Sequence, residues 1–306
     1  MPLAQSSTVD LIGVCFDGSG RCHGQSRAPA VLREAGLPAA LPAASLAADV
    51  VTPSPSIARG PSGFVNEQAL LAMVAGVHAR TSTALRDGRW PLLYGADCAV
   101  LLGAIPALRD AQGRAGLLFI DGHEDATTME GSDSGEAANM EIALLLGLTG
   151  TGAPAALRAR LPALDRDSIV MLGQRDERFR RDIGAQSIVD RVRLHADEAV
   201  QQDPARLAQR AAVHLAEQAS GWWLHIDLDV LAREEFAACG AADDPTMPGG
   251  LSWDALTTAT TAALRVGSCR GMSVGVYNTD LDPTRQAARQ IVRFLADVAA
   301  DGFAHG

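Results

Sequence analysis

The sequence contains no lysine, so arginine supplies all 26 of the lysine-plus-arginine positions, against 36 aspartates and glutamates. With a formal net charge of −10 and no basic run, a nucleic-acid backbone or an anionic membrane is excluded as a natural partner. No stretch approaches the ~20 apolar residues of a membrane span. Residues 1–9 lack the basic start and apolar core of a secretion signal. We therefore expect a cytoplasmic protein that acts on a small molecule.

The chain also lacks two common sequence signatures. Its five cysteines are odd in number and scattered, which indicates a reducing compartment and not a disulfide framework. No Gly-x-Gly-x-x-Gly follows a predicted strand, and Gly18-Ser19-Gly20 runs into Arg21-Cys22-His23, so a dinucleotide enzyme is disfavoured. A hydrophobic content of 47% with 20% charged residues is typical of a globular protein.

Short apolar runs alternate with longer helical patterns along the whole chain. This alternation predicts an α/β fold, with a mostly parallel sheet wrapped by helices, in a single domain over residues 1–306. The predicted strands are 11–16, 91–94, 116–120, 168–172, 222–226 and 272–277. The predicted helices are 28–35, 66–86, 99–109, 137–148, 204–219, 253–265 and 284–299. Residues 237–250 are predicted to be a long loop, a kind of segment that is often functional.

Side chains that bind divalent metals follow three of the predicted strands. They lie at the carboxyl ends, where open parallel sheets bind ligands. In an extended segment residues i and i+2 face the same side, so each Asp-x-His or Asp-x-Asp pair can point together. The residues are Cys98 after strand 91–94, Asp121, His123 and Asp125 after strand 116–120, and Asp227 and Asp229 after strand 222–226.

Buried carboxylates this close repel one another, and a bound cation or a raised pKa resolves the repulsion. Four aspartates, one histidine and one cysteine could hold two divalent ions that share bridging carboxylates and lower the pKa of a water molecule. The alternative for each pair alone is a turn in which aspartate only caps the backbone. The two pairs together, each at the end of an apolar run, favour a metal centre.

These segments resemble the arginase/agmatinase/formiminoglutamase family, the ureohydrolases. Gly95-Ala96-Asp97-Cys98 is similar to the family's Gly-Gly-Asp-His, and Asp121-Gly122-His123-Glu124-Asp125 to its Asp-Ala-His-x-Asp. Asp227-Leu228-Asp229 resembles the start of its Asp-x-Asp-x-x-Asp-Pro. Gly173-Gln174-Arg175-Asp176 and Gly249-Gly250-Leu251-Ser252 look like two later family motifs. The resemblance covers roughly residues 10–298.

The resemblance implies a three-layer αβα fold, a homo-oligomer of three or six chains, and a dimanganese centre whose hydroxide attacks a guanidinium or formimino carbon. One ion would be held by Asp121, His123, Asp227 and Asp229. The other would be held by Cys98, Asp121, Asp125 and Asp227, so that Asp121 and Asp227 bridge.

The sequence departs from the family pattern at four places. Cys98 stands where the family has histidine. A softer thiolate there favours zinc or iron over manganese, whereas a cysteine that is only a small buried apolar residue would leave a single ion. Val276 replaces the glutamate that pairs with the guanidinium in arginases and agmatinases. Ala138 falls on the proton-shuttle histidine of arginases. Ala232-Arg233 replaces the Asp-Pro that follows Asp-x-Asp.

Acidic residues near these gaps are candidate replacements. Glu136 or Glu141 would act as the catalytic acid/base or as the missing carboxylate, if burial raises its pKa. Ser134, Asp243 and Asp244 are candidate substrate-binding residues, and solvated loop charge is the alternative for the acidic ones. His225, two residues before Asp227, is either a donor to a ligand carboxylate or a satisfied core histidine.

The resulting hypothesis is a metal-dependent hydrolase of linear amidine or guanidine C–N bonds, acting on a small guanidino or formimino substrate that can be cationic, such as a modified arginine. The alternative is a catalytically impaired family member that binds a ligand or regulates a partner. A one-metal deacetylase relative ranks last, because the sequence has no His-His pair.

Overall fold

A computed structural model describes residues 8–21, 24–41, 44–239 and 248–302. Within these residues nine strands form one sheet in which all pairings are parallel. They are β1 (Val9–Cys15), β2 (Ser45–Leu46), β3 (Val50–Val51), β4 (Trp90–Tyr94), β5 (Ala115–Ile120), β6 (Ile169–Gln174), β7 (Arg193–Ala196), β8 (Gly221–Asp227) and β9 (Cys269–Gly275). The order is β2-β1-β4-β9-β8-β5-β6-β7, with β3 also beside β1.

Helices cover both faces of the sheet. They are α1 (Ala28–Glu34), α2 (Leu37–Ala40), α3 (Glu67–Arg86), α4 (Leu101–Gln112), α5 (Glu141–Leu145), α6 (Ala155–Arg158), α7 (Glu177–Asp182), α8 (Asp197–Gln202), α9 (Pro204–Gln218), α10 (Trp253–Leu264) and α11 (Gln286–Gly302). Helices α1, α9, α10 and α11 pack on one face, and α3, α4 and α5 on the other. No helix in the described part of the chain has the length and apolar character needed to cross a membrane.

Two separate cores explain why the central strands are apolar without alternation. In β5, Leu118 and Ile120 enter the core with α9 and α10, whereas Leu117 and Phe119 enter the core with α3 and α4. Every residue of β4, β5, β6 and β8 is buried. A sheet covered on both sides must be apolar on both sides, and the predicted three-layer αβα fold is confirmed.

The six predicted strands are all present, with ends shifted by up to three residues. Strands β2 and β3 were not predicted, since two residues carry no periodic pattern. Strand β7 was missed because it is polar and only partly buried at the sheet edge. Sequence periodicity is weak in such short or half-exposed edge strands.

The predicted helix 137–148 is wrong in detail. A 3-10 turn over Ala137–Asn139 is followed by the short helix α5. Between them Met140 has a φ of −143°, and the backbone amide of Ile142 donates to the carbonyl of Asp125 at 3.1 Å. A tertiary hydrogen bond therefore interrupts the local helical pattern and sets where Glu141 lies.

Candidate metal centre

The three predicted strand ends meet at one edge of the sheet. Strands β5 and β8 are direct neighbours, whereas β9 lies between β8 and β4. The turn after β4 is tied to β9, because Gly95 N donates to Val274 O at 3.1 Å and Val276 N donates to Ala96 O at 2.9 Å. The chain after β4 is thereby directed over the end of β9 and towards β8.

Cys98 lies close to the carboxylates at the ends of β5 and β8. Its Sγ lies 2.9 Å from Asp227 Oδ2 and 3.6 Å from Asp121 Oδ2. Cys98 begins the 3-10 turn before α4 and is buried. Burial first, and then the charges of Asp227 and Asp121, raise the pKa of the Cys98 thiol well above its ordinary value. In the absence of a cation this cysteine is a neutral thiol.

His123 lies on the opposite side of the cluster. Its Nδ1 is 3.0 Å from Asp229 Oδ2 and 3.6 Å from Asp121 Oδ1. Burial opposes the charged imidazole, but the carboxylates of Asp229 and Asp121 outweigh it and raise the pKa of His123 well above its usual value. Burial raises the pKa of Asp229, but the charge and hydrogen bond of His123, the amide of Gly122 and the charge of Arg175 together outweigh burial and lower it. His123 and Asp229 therefore form an ion pair.

The turns themselves aim these side chains inward. Asp121 Oδ1 accepts the backbone amide of His123 at 2.6 Å, and Asp227 Oδ1 accepts that of Asp229 at 2.7 Å. Asp125 has a φ of +45°, a left-handed conformation that costs energy for a residue other than glycine. Such strain at the end of a strand is typical of functional sites.

The remaining carboxyls carry more negative charge than the protein offsets. Burial is the main cause that raises the pKa values of Asp121, Asp125 and Asp227, and the neighbouring carboxylates add to it. Among the described ion pairs, His123 is the only cationic partner within this cluster. A cluster of this kind is stable in its charged form only if cations are bound.

Glu141, one of the two glutamates predicted as acid/base candidates, lies in the cluster. One of its carboxylate oxygens lies within 4.8 Å of Cys98 Sγ and of a carboxylate oxygen of Asp125. Its side chain is fully buried, and its near polar partners are its own backbone amide and the carboxyl of Asp125. Burial, and then the charge of Asp121, raise the pKa of Glu141 well above its ordinary value.

The other predicted site residues lie outside this cluster. Ser134 is exposed, and its Oγ accepts hydrogen bonds from Glu136 N at 3.2 Å and from Asn139 Nδ2 at 3.1 Å. Glu136 is half-buried on the same loop and contributes to the raised pKa of Asp97. Asp243 and Asp244 fall outside the described residues.

Two residues that were not predicted to have a role hold the backbone around the cluster. Arg175 Nη2 donates to the carbonyls of Asp229 at 2.7 Å and Leu231 at 3.3 Å, which holds the turn after β8. Asp97 Oδ2 accepts Gly18 N at 2.9 Å, and burial raises the pKa of Asp97 to about 7. Both residues belong to motifs that resemble the family, and these motifs were the sequence feature that could have identified them.

His225 is a buried neutral histidine below the cluster. Its Nδ1 lies 2.7 Å from Ser273 Oγ, and its ring stacks on Phe119 with ring centroids 5.4 Å apart. Burial lowers the pKa of His225 to about 3. A nitrogen of the ring lies within 4.8 Å of ligand atoms of Cys98 and Asp121. Nε2 meets no hydrogen-bond partner among the residues that the structure describes.

Two of the residues that depart from the family pattern have defined positions in the structure. Val276 directly follows β9, with a φ of +64°, and is buried. Ala138 is half-buried within the 3-10 turn before α5. Neither position can supply a carboxylate or an imidazole to a substrate at this edge of the sheet.

The donor set fits divalent metal ions. Three groups of ligand atoms lie within 4.8 Å of one another: Asp121, His123 and Asp229; Cys98, Asp125 and Glu141; and Cys98, Asp121 and His225. Carboxylate and imidazole donors suit manganese and zinc, and a thiolate adds preference for zinc or iron. The oxygens of Glu141 accept no well-formed hydrogen bond among the described residues, and a cation would satisfy them.

Several known proteins are similar to this chain in sequence or in fold. The chain is 28% identical over 236 residues to N(omega)-hydroxy-L-arginine amidinohydrolase of Streptomyces lavendulae, with 77% of each chain covered. It is 25% identical to an arginase of Staphylococcus aureus over 57% of its own length, and it spans only 59% of that relative. The native structure of Bacillus caldovelox arginase superposes with a TM-score of 0.80, 22% identity and coverage of 95% and 98%. The Arginase family profile matches residues 7–300, and the chain therefore belongs to the arginase family.

Proposed function

We propose that this chain is a metal-dependent hydrolase that cleaves a linear, non-peptide C–N bond in a small guanidino or formimino compound. The observation that carries the proposal is the convergence of Cys98 with four aspartates and His123 at one edge of the sheet. The charge excess of this cluster and the membership in the arginase family support it.

The ligand assignment follows from which side chains lie close enough to one another to bind the same ion. Asp121 lies near both Cys98 and His123, which supports a bridging role. Asp227 reaches Cys98 at 2.9 Å and is proposed as the second bridge. His123 and Asp229 would complete one ion site, and Cys98 and Asp125 the other. When bound, a pair of divalent ions lowers the pKa of water and supplies a nucleophile near neutral pH.

The chain's own residues would orient the substrate and handle protons. Water adds to the amidino carbon, the C–N bond to the amine breaks, and the leaving amine takes up a proton. Glu136, half-buried at the loop that carries Ser134, is the proposed acid/base because it keeps contact with solvent. Ser134 is proposed to hydrogen-bond the substrate. Asp243 and Asp244 stay predictions for the same role.

A modified arginine is the proposed substrate class. With Val276 in place of a carboxylate, the site has no partner at this position for a strongly basic guanidinium. An oxygen or acyl substituent lowers the basicity of a guanidine, so such a substrate needs the missing carboxylate less. The 28% identity to an N(omega)-hydroxy-L-arginine amidinohydrolase supports this choice.

Manganese is the proposed metal, because oxygen donors dominate the cluster. Zinc or iron, or a single ion, are the alternatives that Cys98 favours. A cytoplasmic location is proposed since the four described cysteines are all free thiols. A homo-oligomer of three or six chains is proposed from the family, and its mass in solution would test that proposal.

The test is product release from a substrate panel. Protein loaded separately with manganese, zinc and iron would be assayed with arginine, agmatine, N-hydroxyarginine, an acylated arginine and formiminoglutamate, measuring urea, hydroxyurea and formamide. We expect turnover of a modified guanidine and its loss in Asp121→Ala. Binding of a guanidino compound without product would support the alternative of a ligand-binding protein, and no turnover with any metal would refute the hydrolase.

A further inference from the structure

Glu141 is the least satisfied polar side chain near the cluster. It is the first residue of α5, and its exposed fraction is 0%. Among the described residues neither carboxylate oxygen accepts a well-formed hydrogen bond, and its near polar partners are its own backbone amide and the carboxyl of Asp125. A buried carboxylate without a donor is destabilising unless a proton or a cation satisfies it.

The position of Glu141 is fixed by the site itself. The amide of the next residue, Ile142, donates to the carbonyl of Asp125 at 3.1 Å. This bond holds the start of α5 against the strained turn that carries Asp125. As a result a carboxylate oxygen of Glu141 lies within 4.8 Å of Cys98 Sγ and of Asp125. Ligand atoms this close to one another can share one ion.

We propose that Glu141 is a ligand of the divalent ion held by Cys98 and Asp125. This proposal rests on the proposed function and deepens it. The thiolate of Cys98 is a soft donor, and a carboxylate oxygen beside it restores a hard donor to that ion. Glu141 thereby keeps the site suited to manganese in spite of the cysteine.

Burial separates this role from the acid/base role that the sequence suggested. A residue that exchanges protons between substrate and solvent must reach both, whereas Glu141 has no exposed surface. Glu136, on the same segment, is half-buried and suits proton exchange better. Glu136 therefore serves as the control for Glu141, because it lies on the same segment but outside the proposed ligand group.

The experiment compares Glu141→Gln with the control Glu136→Gln, without substrate. Equilibrium dialysis with manganese, followed by elemental analysis, gives the number of ions and the affinity of each. We expect the wild-type protein to bind two ions and Glu141→Gln to bind one of them on the order of 10–100-fold more weakly. Glu136→Gln should bind both ions like the wild type.

Cobalt substitution provides a second readout that a purely structural role would not change. The thiolate-to-cobalt absorption band reports the ion at Cys98, and Glu141→Gln should alter its energy or intensity at saturating cobalt. Glu141→Asp, which keeps a carboxylate on a shorter stem, should recover part of the lost affinity. Heat-induced unfolding in chelator checks that each variant is folded before metal is added.

Several results would overturn the proposal. These are wild-type affinity for both ions together with an unchanged cobalt band in Glu141→Gln, or a wild-type protein that binds no ion near Cys98. Equal losses in Glu141→Gln and Glu136→Gln would also overturn it. A protein that binds two ions as expected but hydrolyses no member of the substrate panel would count against the proposed function alone.

Discussion

Glu124 and Glu141 are buried glutamates on the segment that follows β5, and their surroundings differ completely. Glu124 accepts hydrogen bonds from Ser187 Oγ and Ile188 N, both at 2.7 Å, and its Oε1 lies 3.0 Å from Arg180 Nη2. Glu141 has none of these partners within the described residues. The protein itself supplies a cationic partner to the first carboxylate, whereas no described arginine or histidine forms an ion pair with the second. This difference is what the proposed ligand role of Glu141 requires.

The largest expected effect is at the shared ligand of the site. Asp121→Asn should lower metal affinity and turnover of the metal-loaded protein by at least about 100-fold, because even groups that only support ligands cost 10–100-fold when lost. Metal content and product release measure both effects. Asp133→Asn, an exposed change on the following loop, is the control, and equal losses in the two variants would contradict the assignment of Asp121.

The comparison of the two glutamates predicts opposite stability changes in metal-free protein. Glu124→Gln should lower the free energy of unfolding by about 2–3 kcal/mol, because it removes a buried ion-pair partner of Arg180. Glu141→Gln should raise the free energy of unfolding near neutral pH, because burial raises the pKa of Glu141 and folding no longer requires this carboxyl to take up a proton. Denaturant unfolding in chelator measures both changes. A change of the same sign in both variants would contradict the view that only Glu124 has a stabilising partner in the protein.

The metal-free protein should lose stability as the pH rises from about 4 to about 7. Burial raises the pKa of Asp97 to about 7 in the folded state, whereas an unfolded aspartate has a pKa of about 3.9. Between these values the folded state holds more protons than the unfolded state, so the free energy of unfolding falls by up to ~1.4 kcal/mol per pH unit for each such group.

Asp121, Asp125 and Asp227 have pKa shifts in the same direction. Bound metal should therefore remove most of the decline, since it stabilises the ionised ligands. Unfolding curves across this pH range, with and without manganese, measure the difference. If the metal-free protein instead became more stable as the pH rose in this window, the buried aspartates would not carry the excess negative charge inferred for the cluster.

A smaller change is expected in metal preference. Cys98→His replaces a soft thiolate with an imidazole and should lower the ratio of zinc to manganese affinity by roughly tenfold. Competitive dialysis with both metals measures the ratio. Cys269→Ser, at a buried cysteine of β9, is the control, and an unchanged ratio in Cys98→His would show that Cys98 is not a ligand.

The smallest effect is expected at the exposed loop. Ser134→Ala should raise KM by roughly fivefold at most and leave kcat unchanged, because one neutral hydrogen bond contributes about 1 kcal/mol. Steady-state kinetics on the accepted substrate measure both constants. A large fall in kcat would instead place Ser134 in the chemical step.

Much of the fold and part of the site could be predicted from local pattern. Central strands such as β5 and β8 are buried on both faces, so their apolar runs are unmistakable. Asp121 directly follows β5, and Asp227 is the last residue of β8. Edge strands and the break before α5 could not be predicted, because their bounds depend on pairing partners and on the hydrogen bond from Ile142 to Asp125.

The sequence by itself determined which donor atoms are available: a thiol at Cys98, an imidazole at His123, and carboxylates at regular spacing after apolar strands. It also determined the absence of a family glutamate and histidine at Val276 and Ala138. Only the tertiary structure decided which carboxylates the protein neutralises. Glu124 and Glu141 have the same chemistry and similar burial, and they differ because Arg180 and Ser187 reach one of them from distant parts of the chain.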